Sequence, residues 1–308
     1  MGAQLRVYRR RIRSVQSTKK ITKAQELIAA SRIAKAQARV QAARPYAEEL
    51  SSALAELSGD TTISHPMLTG VENPTRAGVL LITSDRGLAG GYNANAIKAA
   101  NELVARLEGE GKSVDRYVIG RKGSAFYTFR RIALAGNWTG FSEQPSFTHA
   151  KPATDAVVAA LTATSAGEVD EGTPGIDELW VIYTKFVNSV SQTPIAVRVA
   201  PVKSASDEKP TDAPDEQPVQ YFFEPEPSEL IAALLPRYIS SRIYSALLES
   251  AASESASRRQ AMKSATDNAT ELIRTYTRLA SQARQAEITQ EISEIVGGAD
   301  ALAASGDE

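Results

Sequence analysis

From Arg237 to Val296 the chain runs without a proline or a glycine. With its flanks, Pro227 to about Leu302, the stretch predicts one helix of about 75 residues, on the order of 110 Å long at 1.5 Å per residue. Helices in globular proteins average three to four turns. A helix this long is not the edge of a compact core and must lie along something. Met262, Ala265, Ala269, Leu272, Tyr276, Leu279, Ala283 and Ala286 alternate three and four apart, which is a heptad seam. Alanine at many of these positions allows close approach of a partner helix. Charge on the helix is balanced, with eight basic and eight acidic residues between Ser228 and Val296.

The natural partner is the other end of the chain. Residues 3–57 read as helix, with Leu5, Tyr8, Ile12 and Val15 on one stripe. The stripe then shifts phase and resumes at Ile21, Ala24 and Ile28. Pro45 is expected to kink the helix or to end one segment of it. Tyr46–Leu57 is helical again, with Leu50, Leu54 and Leu57 in line, and Ser58-Gly59-Asp60 stops it. The two termini are therefore expected to form an antiparallel coiled coil.

Between them the pattern changes. Residues 58–77 read as a connector. Short β-rich runs at Ala77–Thr83, Arg116–Gly120, Leu179–Thr184 and Ile195–Val199 read as strands. Helical patterns at Ala94–Leu107, Lys122–Arg130 and Lys151–Thr164 alternate with them, and 131–150 reads as irregular. Such alternation predicts an α/β domain with a partly parallel sheet. The acidic, glycine-rich stretch 166–177 and the proline- and charge-rich stretch 201–218 read as a loop and a linker. The expected organisation is 1–58 as the first coil helix, 59–224 as the α/β domain and 225–308 as the second coil helix.

Composition narrows the function. The 308 residues contain no cysteine, which excludes disulfides, thiolate catalysis and cysteine metal sites. The two histidines, His65 and His149, read as loop residues and offer little for an imidazole metal site. No run approaches the ~18–20 apolar residues of a membrane span. The net charge of −1 conceals an asymmetry. Residues 1–44 carry twelve basic side chains against Glu26 alone, +11, so the remainder carries −12. Such an arm suits nucleic-acid phosphates, an acidic protein channel, or simply a solvated coil face, and composition does not choose among them.

The motif Ser84–Asn93, SDRGLAGGYN, follows a strand and opens a helix, a place where backbone N–H groups can cradle phosphate. It lacks the G-x-G-x-x-G order and the GK[ST] ending, and no acid follows near Ile119 to hold a ribose. The paired glycines read as a steric need of the turn, with Asp85 and Arg86 as a possible ion pair across it. No nucleophile–base pair, metal cluster or cofactor loop is found. The chain reads as built to transmit shape or force.

The chain resembles, over nearly its whole length, the gamma subunit of F-type ATP synthases. The resemblance is carried by Arg11–Gln37 (RIRSVQSTKKITKAQELIAASRIAKAQ), Ser84–Asn93, Arg258–Ala269 (RRQAMKSATDNA) and Ala283–Ala299 (ARQAEITQEISEIVGGA). It implies α/β structure plus a long α coiled coil, with a Rossmann-like domain inserted between the two coil helices. It also implies a non-catalytic rotor shaft that couples ion flow to ATP synthesis inside a ring of three alpha and three beta subunits. The implied further partners are an epsilon subunit and the membrane rotor ring. ATP and Mg²⁺ would be held by alpha and beta, with no cofactor on this chain. The implied location is peripheral, at the cytoplasmic face of the cell membrane. Matched by position, Arg284, Gln285 and Thr289 would touch a loop of one beta subunit. Lys23 and Arg258 would face the acidic lever of beta. Gln25 stands where the family usually has Met, and Ala89 where Cys is frequent. The 166–177 loop resembles actinobacterial forms and implies a role beside the rotor ring or in regulating rotation. A basic coiled-coil nucleic-acid binder with an α/β appendage is the alternative reading.

Overall fold

The computed structural model describes residues 2–58, 65–170, 173–202 and 226–305. Two long helices dominate, α1 (Gly2–Ser58) and α6 (Pro227–Ser305). Pro227 opens α6 at its first position, where a missing N–H costs nothing. Glu229 follows in the first turn, where an acid favours the helix dipole. Pro45 does not end α1. It lies exposed, and the Arg44–Glu48 pair at 2.5 Å spans its turn.

The chain forms two compact units, Met1–Ile28 with Arg259–Glu308, and Ala29–Arg258. In the first, the helices run antiparallel: Tyr8 meets Tyr276, with ring centroids 6.4 Å apart, and Thr22 meets Thr266 at 2.7 Å between hydroxyls. The sheltered positions of α1 in this unit are Leu5, Tyr8, Ile12, Val15, Lys19, Thr22 and Glu26, with Gln25 beside Glu26. They keep the three–four spacing without interruption, so the expected phase shift does not occur. Ile21 and Ile28, read as continuing the stripe, are exposed at 64% and 47%. The seam on α6 likewise differs. Met262, Ala265, Ala269, Tyr276, Leu279 and Ala283 are sheltered as expected. The intervening sheltered positions include Thr266, Ile273 and Glu287, whereas Leu272 and Ala286 are exposed. Both shifts have one physical cause. Threonine fills a seam position readily when its hydroxyl is satisfied. One of the two hydroxyls donates to the other, and the accepting one donates its own proton to a carbonyl, Thr22 to that of Lys19 at 3.1 Å or Thr266 to that of Met262 at 2.8 Å.

The second unit is built on a five-stranded sheet in the order β3-β2-β1-β6-β7. Its strands are β1 (Arg76–Ile82), β2 (Ser113–Ile119), β3 (Gly136–Trp138), β6 (Glu178–Phe186) and β7 (Gln192–Ala200). All neighbours are parallel except the β6–β7 hairpin. Crossovers run through α3 (Tyr92–Gly109), α4 (Arg121–Phe129) and α5 (Phe147–Ala163). Alternate residues of β1 face opposite layers. Ala77, Val79 and Leu81 pack with Ile97, Leu103, Leu107 and Tyr127 of α3 and α4. Leu80 and Ile82 belong to the larger core, with Val157 of α5, Leu50, Leu54 and Leu57 of α1, and Ile231, Leu235 and Ile239 of α6.

Three stretches read as irregular have structure. The connector holds a short helix, α2 (Pro66–Thr69). Region 131–150 holds β3 and the start of α5, whose Ser146 Oγ accepts from the His149 N–H at 3.2 Å. His149 thus lies in a helix and stacks on Phe141. The acidic loop holds β4 (Glu168–Asp170) and β5 (Thr173–Pro174), paired antiparallel. Most of the 201–218 linker lies outside the described residues.

Candidate functional site: helix faces and the turns that hold them

The Ser84–Asn93 turn is organised by its own side chains. Asp85 does not pair with Arg86. Its Oδ2 accepts from the N–H groups of Gly140 and Ser142, each at 2.9 Å, and its Oδ1 from the N–H of Arg121 at 3.1 Å. The carboxylate therefore sits at the start of α4, where an anion would otherwise be drawn, and binds the turn to the 140–142 loop. Asn93 Oδ1 accepts from the Ser84 N–H at 2.9 Å. Gly90 needs its freedom, with φ 57°. Gly120, with φ 104°, crosses so close to β1 that a Cβ there would lie 2.2 Å from the Thr83 carbonyl oxygen. The turn is a structural joint, and Asp85 fills the place a phosphate would take.

Next to it lies a buried ion cluster that composition did not suggest. Arg258 Nη2 bonds Glu254 Oε1 at 2.6 Å, and its Nη1 meets Glu143 Oε1 at 3.2 Å. Its Nε donates to the Gly87 carbonyl at 3.3 Å. Glu143 also pairs with Arg32 of α1 and, at 3.6 Å, with Arg86. Burial pushes the Glu254 carboxyl above the usual range, and the Arg258 guanidinium holds it partly down. The surrounding stretch of α6 reads as polar, yet Ser250, Ser253, Glu254 and Ser255 are all buried. Ser253 donates to the Thr184 carbonyl at 2.8 Å, and the Tyr92 hydroxyl to the Ser250 carbonyl at 3.4 Å. Burial is also what raises the Tyr92 hydroxyl, with Glu254 adding to it.

The residues matched to partner contacts therefore fall into two kinds. Arg258 is 5% exposed and spent on internal pairs, so it offers no surface cation. Lys23 is on the surface and pairs with Glu26 at 3.0 Å. Arg284, Gln285 and Thr289 are exposed. Gln285 and Thr289, four apart, share a helix face. No ion pair of Arg284 is found among the described residues. The same helix tip exposes Ile288, Ile292, Ile295 and Val296. Arg6, Arg9, Arg10 and Arg13 line one open cleft on α1.

Elsewhere, a groove of about 830 Å³ beside α3 and α4 is walled by Ile97, Phe126 and Phe129. Its Lys98 and Glu102 form an ordinary i,i+4 surface pair at 3.8 Å. Among the described residues no helix is long and apolar enough to cross a membrane.

Two antiparallel end helices with an inserted, mostly parallel sheet define a known class of shape. A chain of the Euglena gracilis mitochondrial ATP synthase structure in rotational state 3 matches with TM-score 0.68 at 15% identity, over 100% of this chain and 97% of that one. A chain of the same organism's rotor, in rotational state 1, gives 0.60 at 14%, over 94% and 100%. At such identities the likeness is one of fold. Sequence carries it further: the family described as ATP synthase matches residues 4–302. The ATP synthase gamma chain of Frankia casuarinae is 58% identical, over 98% of this chain and 99% of that one. Those of Acidothermus cellulolyticus and Streptomyces coelicolor are 54% and 52% identical, over 100% and 98% of this chain and 100% and 97% of theirs. The chain belongs to the ATP synthase gamma chain family. These relatives cover the basic arm as well, and give the nucleic-acid reading no support.

Proposed function

We propose that this chain is the central shaft of a rotary ATP synthase and has no catalytic site of its own. In this reading its helix pair stands inside a ring of three alpha and three beta subunits, which bind ATP and Mg²⁺. Its α/β unit meets an epsilon subunit and the membrane rotor ring, and the assembly lies at the cytoplasmic face of the membrane. Ion flow through the rotor ring turns the shaft.

The observation that carries this reading is the outer surface of the helix pair. Ile21, Leu27, Leu272, Ile288, Ile292 and Ile295 are exposed, Ile295 at 71%. Apolar residues repeated along helices that already have each other as partners call for an enclosing sleeve. The basic arm supports an acidic lining for that sleeve. Arg284, Gln285 and Thr289 supply exposed polar groups at the tip and Lys23 a surface cation, a set suited to gripping beta. Arg258, being buried, is left out of that contact. Turning such a surface drives the ring only if each beta state meets a different face, because only differential binding shifts an equilibrium. The 166–177 stretch, acidic and anchored to the core through Val169 and Ile176, suits a contact that tunes rotation.

Reconstitution tests the reading. Alpha and beta are assembled with and without this chain, and ATPase turnover is scored. Stable assembly and turnover that depend on the chain are expected. Failure to co-assemble, with salt-sensitive DNA binding by the isolated chain, would contradict it.

A further inference from the structure

Glu143 lies in a loop between β3 and α5, yet it touches arginines from three elements: Arg32 of α1, Arg258 of α6 and Arg86 of the β1–α3 turn. Arg258 extends the chain of charges to Glu254, whose side chain is 1% exposed. The loop itself is pinned from behind, since Asp85 holds the N–H groups of Gly140 and Ser142, and the Asp85 N–H donates to Ser142 Oγ at 2.8 Å.

What surrounds this cluster on the two helices is mostly small, with Ile33 and Leu248 as the large buried side chains nearest to it in sequence. Ala29 and Ala36 of α1, and Ala251, Ala252 and Ala256 of α6, are the small buried neighbours in sequence. Alanine contacts are flat and resist slip and axial rotation less than interlocking large side chains do. Ion pairs that bring arginines of three elements onto one carboxylate tie those elements together, which alanine contacts alone do not. A buried pair is also expensive to desolvate, and specificity of register is the attested use for which such pairs are kept. Ala29 and Arg258 are moreover the terminal residues of the second unit. The cluster therefore sits where each long helix enters that unit.

We propose that Glu143 is a positioning residue that fixes the rotational register of α1 and α6 at 29–36 and 251–258, beyond the leucine and isoleucine contacts at 50–57 and 231–239 that hold the same helices to the α/β unit, so that torque passes without slip. This rests on the shaft reading above. It assigns Arg258 to the lock and not to a partner surface. Arg32 is the arm to α1 and Arg258 the arm to α6. Glu254 holds Arg258 in place, and Arg86 fastens the turn.

The test uses the assembled enzyme, held by its catalytic ring, with an optical probe fixed to the α/β unit. The readout is the angular variance of the stalled rotor. Glu143→Gln keeps the shape and removes the charge. It is expected to widen the variance by about twofold, since charge-assisted bonds are about twice as strong as neutral ones. Arg32→Met is expected to widen it less. The double variant is expected to match Glu143→Gln alone, because residues in one network do not act additively. A variance unchanged by Glu143→Gln overturns the proposal, and so does strict additivity. Absence of ATP-driven rotation in the wild-type complex would instead sink the shaft reading. Should the variant not assemble, hydrogen exchange on the full-length chain decides. Amides of 29–36 and 251–258 are expected to exchange about tenfold faster, with β1 unchanged, and uniform or unchanged exchange overturns the lock.

Discussion

Arg258→Met is the substitution whose cost follows most directly from the geometry. Methionine keeps much of the length and removes the charge. Lost with it are the 2.6 Å bond to Glu254, the 3.2 Å contact with Glu143 and the bond to the Gly87 carbonyl. Glu254 then remains almost wholly buried without its cation. Removing one partner of a buried pair typically costs 3–5 kcal/mol, and about that loss is expected here at pH 8. Glu254 can relieve part of the penalty by taking a proton. Its folded pKa is already raised, by burial, so the folded state binds more protons than the unfolded state between the two values. Stability of this kind falls as pH rises through that window. Losing Arg258 raises the folded value further, so the deficit of the variant should shrink on going from pH 8 to pH 5. Urea unfolding of the isolated chain, followed by the fluorescence of Trp138 and Trp180, measures both. A deficit below about 1 kcal/mol at pH 8, the scale of an exposed pair, would refute the reasoning. A deficit that grows on acidification would refute it equally.

Other expectations are simpler. Asp177 accepts from the N–H groups of Thr75 (2.8 Å), Arg76 (3.0 Å) and Ser165 (2.9 Å). Asp177→Ala strands these donors and should cost about 2–4 kcal/mol in the same unfolding assay. Burial pushes the Asp177 carboxyl up, but the Ser165, Thr75 and Arg76 bonds outweigh it and hold the pKa below its usual value. Its contribution is therefore complete above the unfolded pKa, about 3.9, and should be lost as pH falls through the lower folded value. Gly120→Ala forces a Cβ onto the Thr83 carbonyl at a positive φ and should lower stability by at least about 1–3 kcal/mol. Arg284→Ala with Gln285→Ala should shift the isolated chain by less than about 0.5 kcal/mol, yet weaken assembly or turnover of the reconstituted complex. Wild-type turnover and yield would remove that contact from the account. Excising 168–174, which leaves Ile176 in the core and Asp177 on its three N–H groups, should alter ATP synthesis or hydrolysis, and rates unchanged in both would end any regulatory role for it.

The sequence shows the two long helices because helix formers dominate them, although Pro45 reads as a break that α1 does not make, and the central strands because β-formers are bounded by turns. Leu50, Leu54 and Leu57 were legible as a buried row for the same reason. What it hid has a common cause. The coil stripe passes through Lys19, Thr22 and Glu26, and the seam of α6 through Thr266, because short or half-sheltered polar groups bond locally and leave isoleucines outside. The Glu249–Ser257 stretch carries no long apolar row, yet a serine such as Ser253, which donates to the Thr184 carbonyl at 2.8 Å, packs as closely as an alanine. Glu143 could not be found at all. A single acid in an irregular loop gives no pattern, and its role exists only once three distant arginines are folded around it. The reverse held at Arg258, where position within a family motif suggested a surface and burial shows an interior.

The central claim is that this chain turns as a shaft. The most direct measurement attaches a probe to its α/β unit in a complex with alpha and beta fixed to a surface, and adds ATP. Unidirectional rotation with three pauses per turn, one for each beta subunit, is the expected result. ATP hydrolysis by a complex that contains the chain while the probe does not rotate would contradict it.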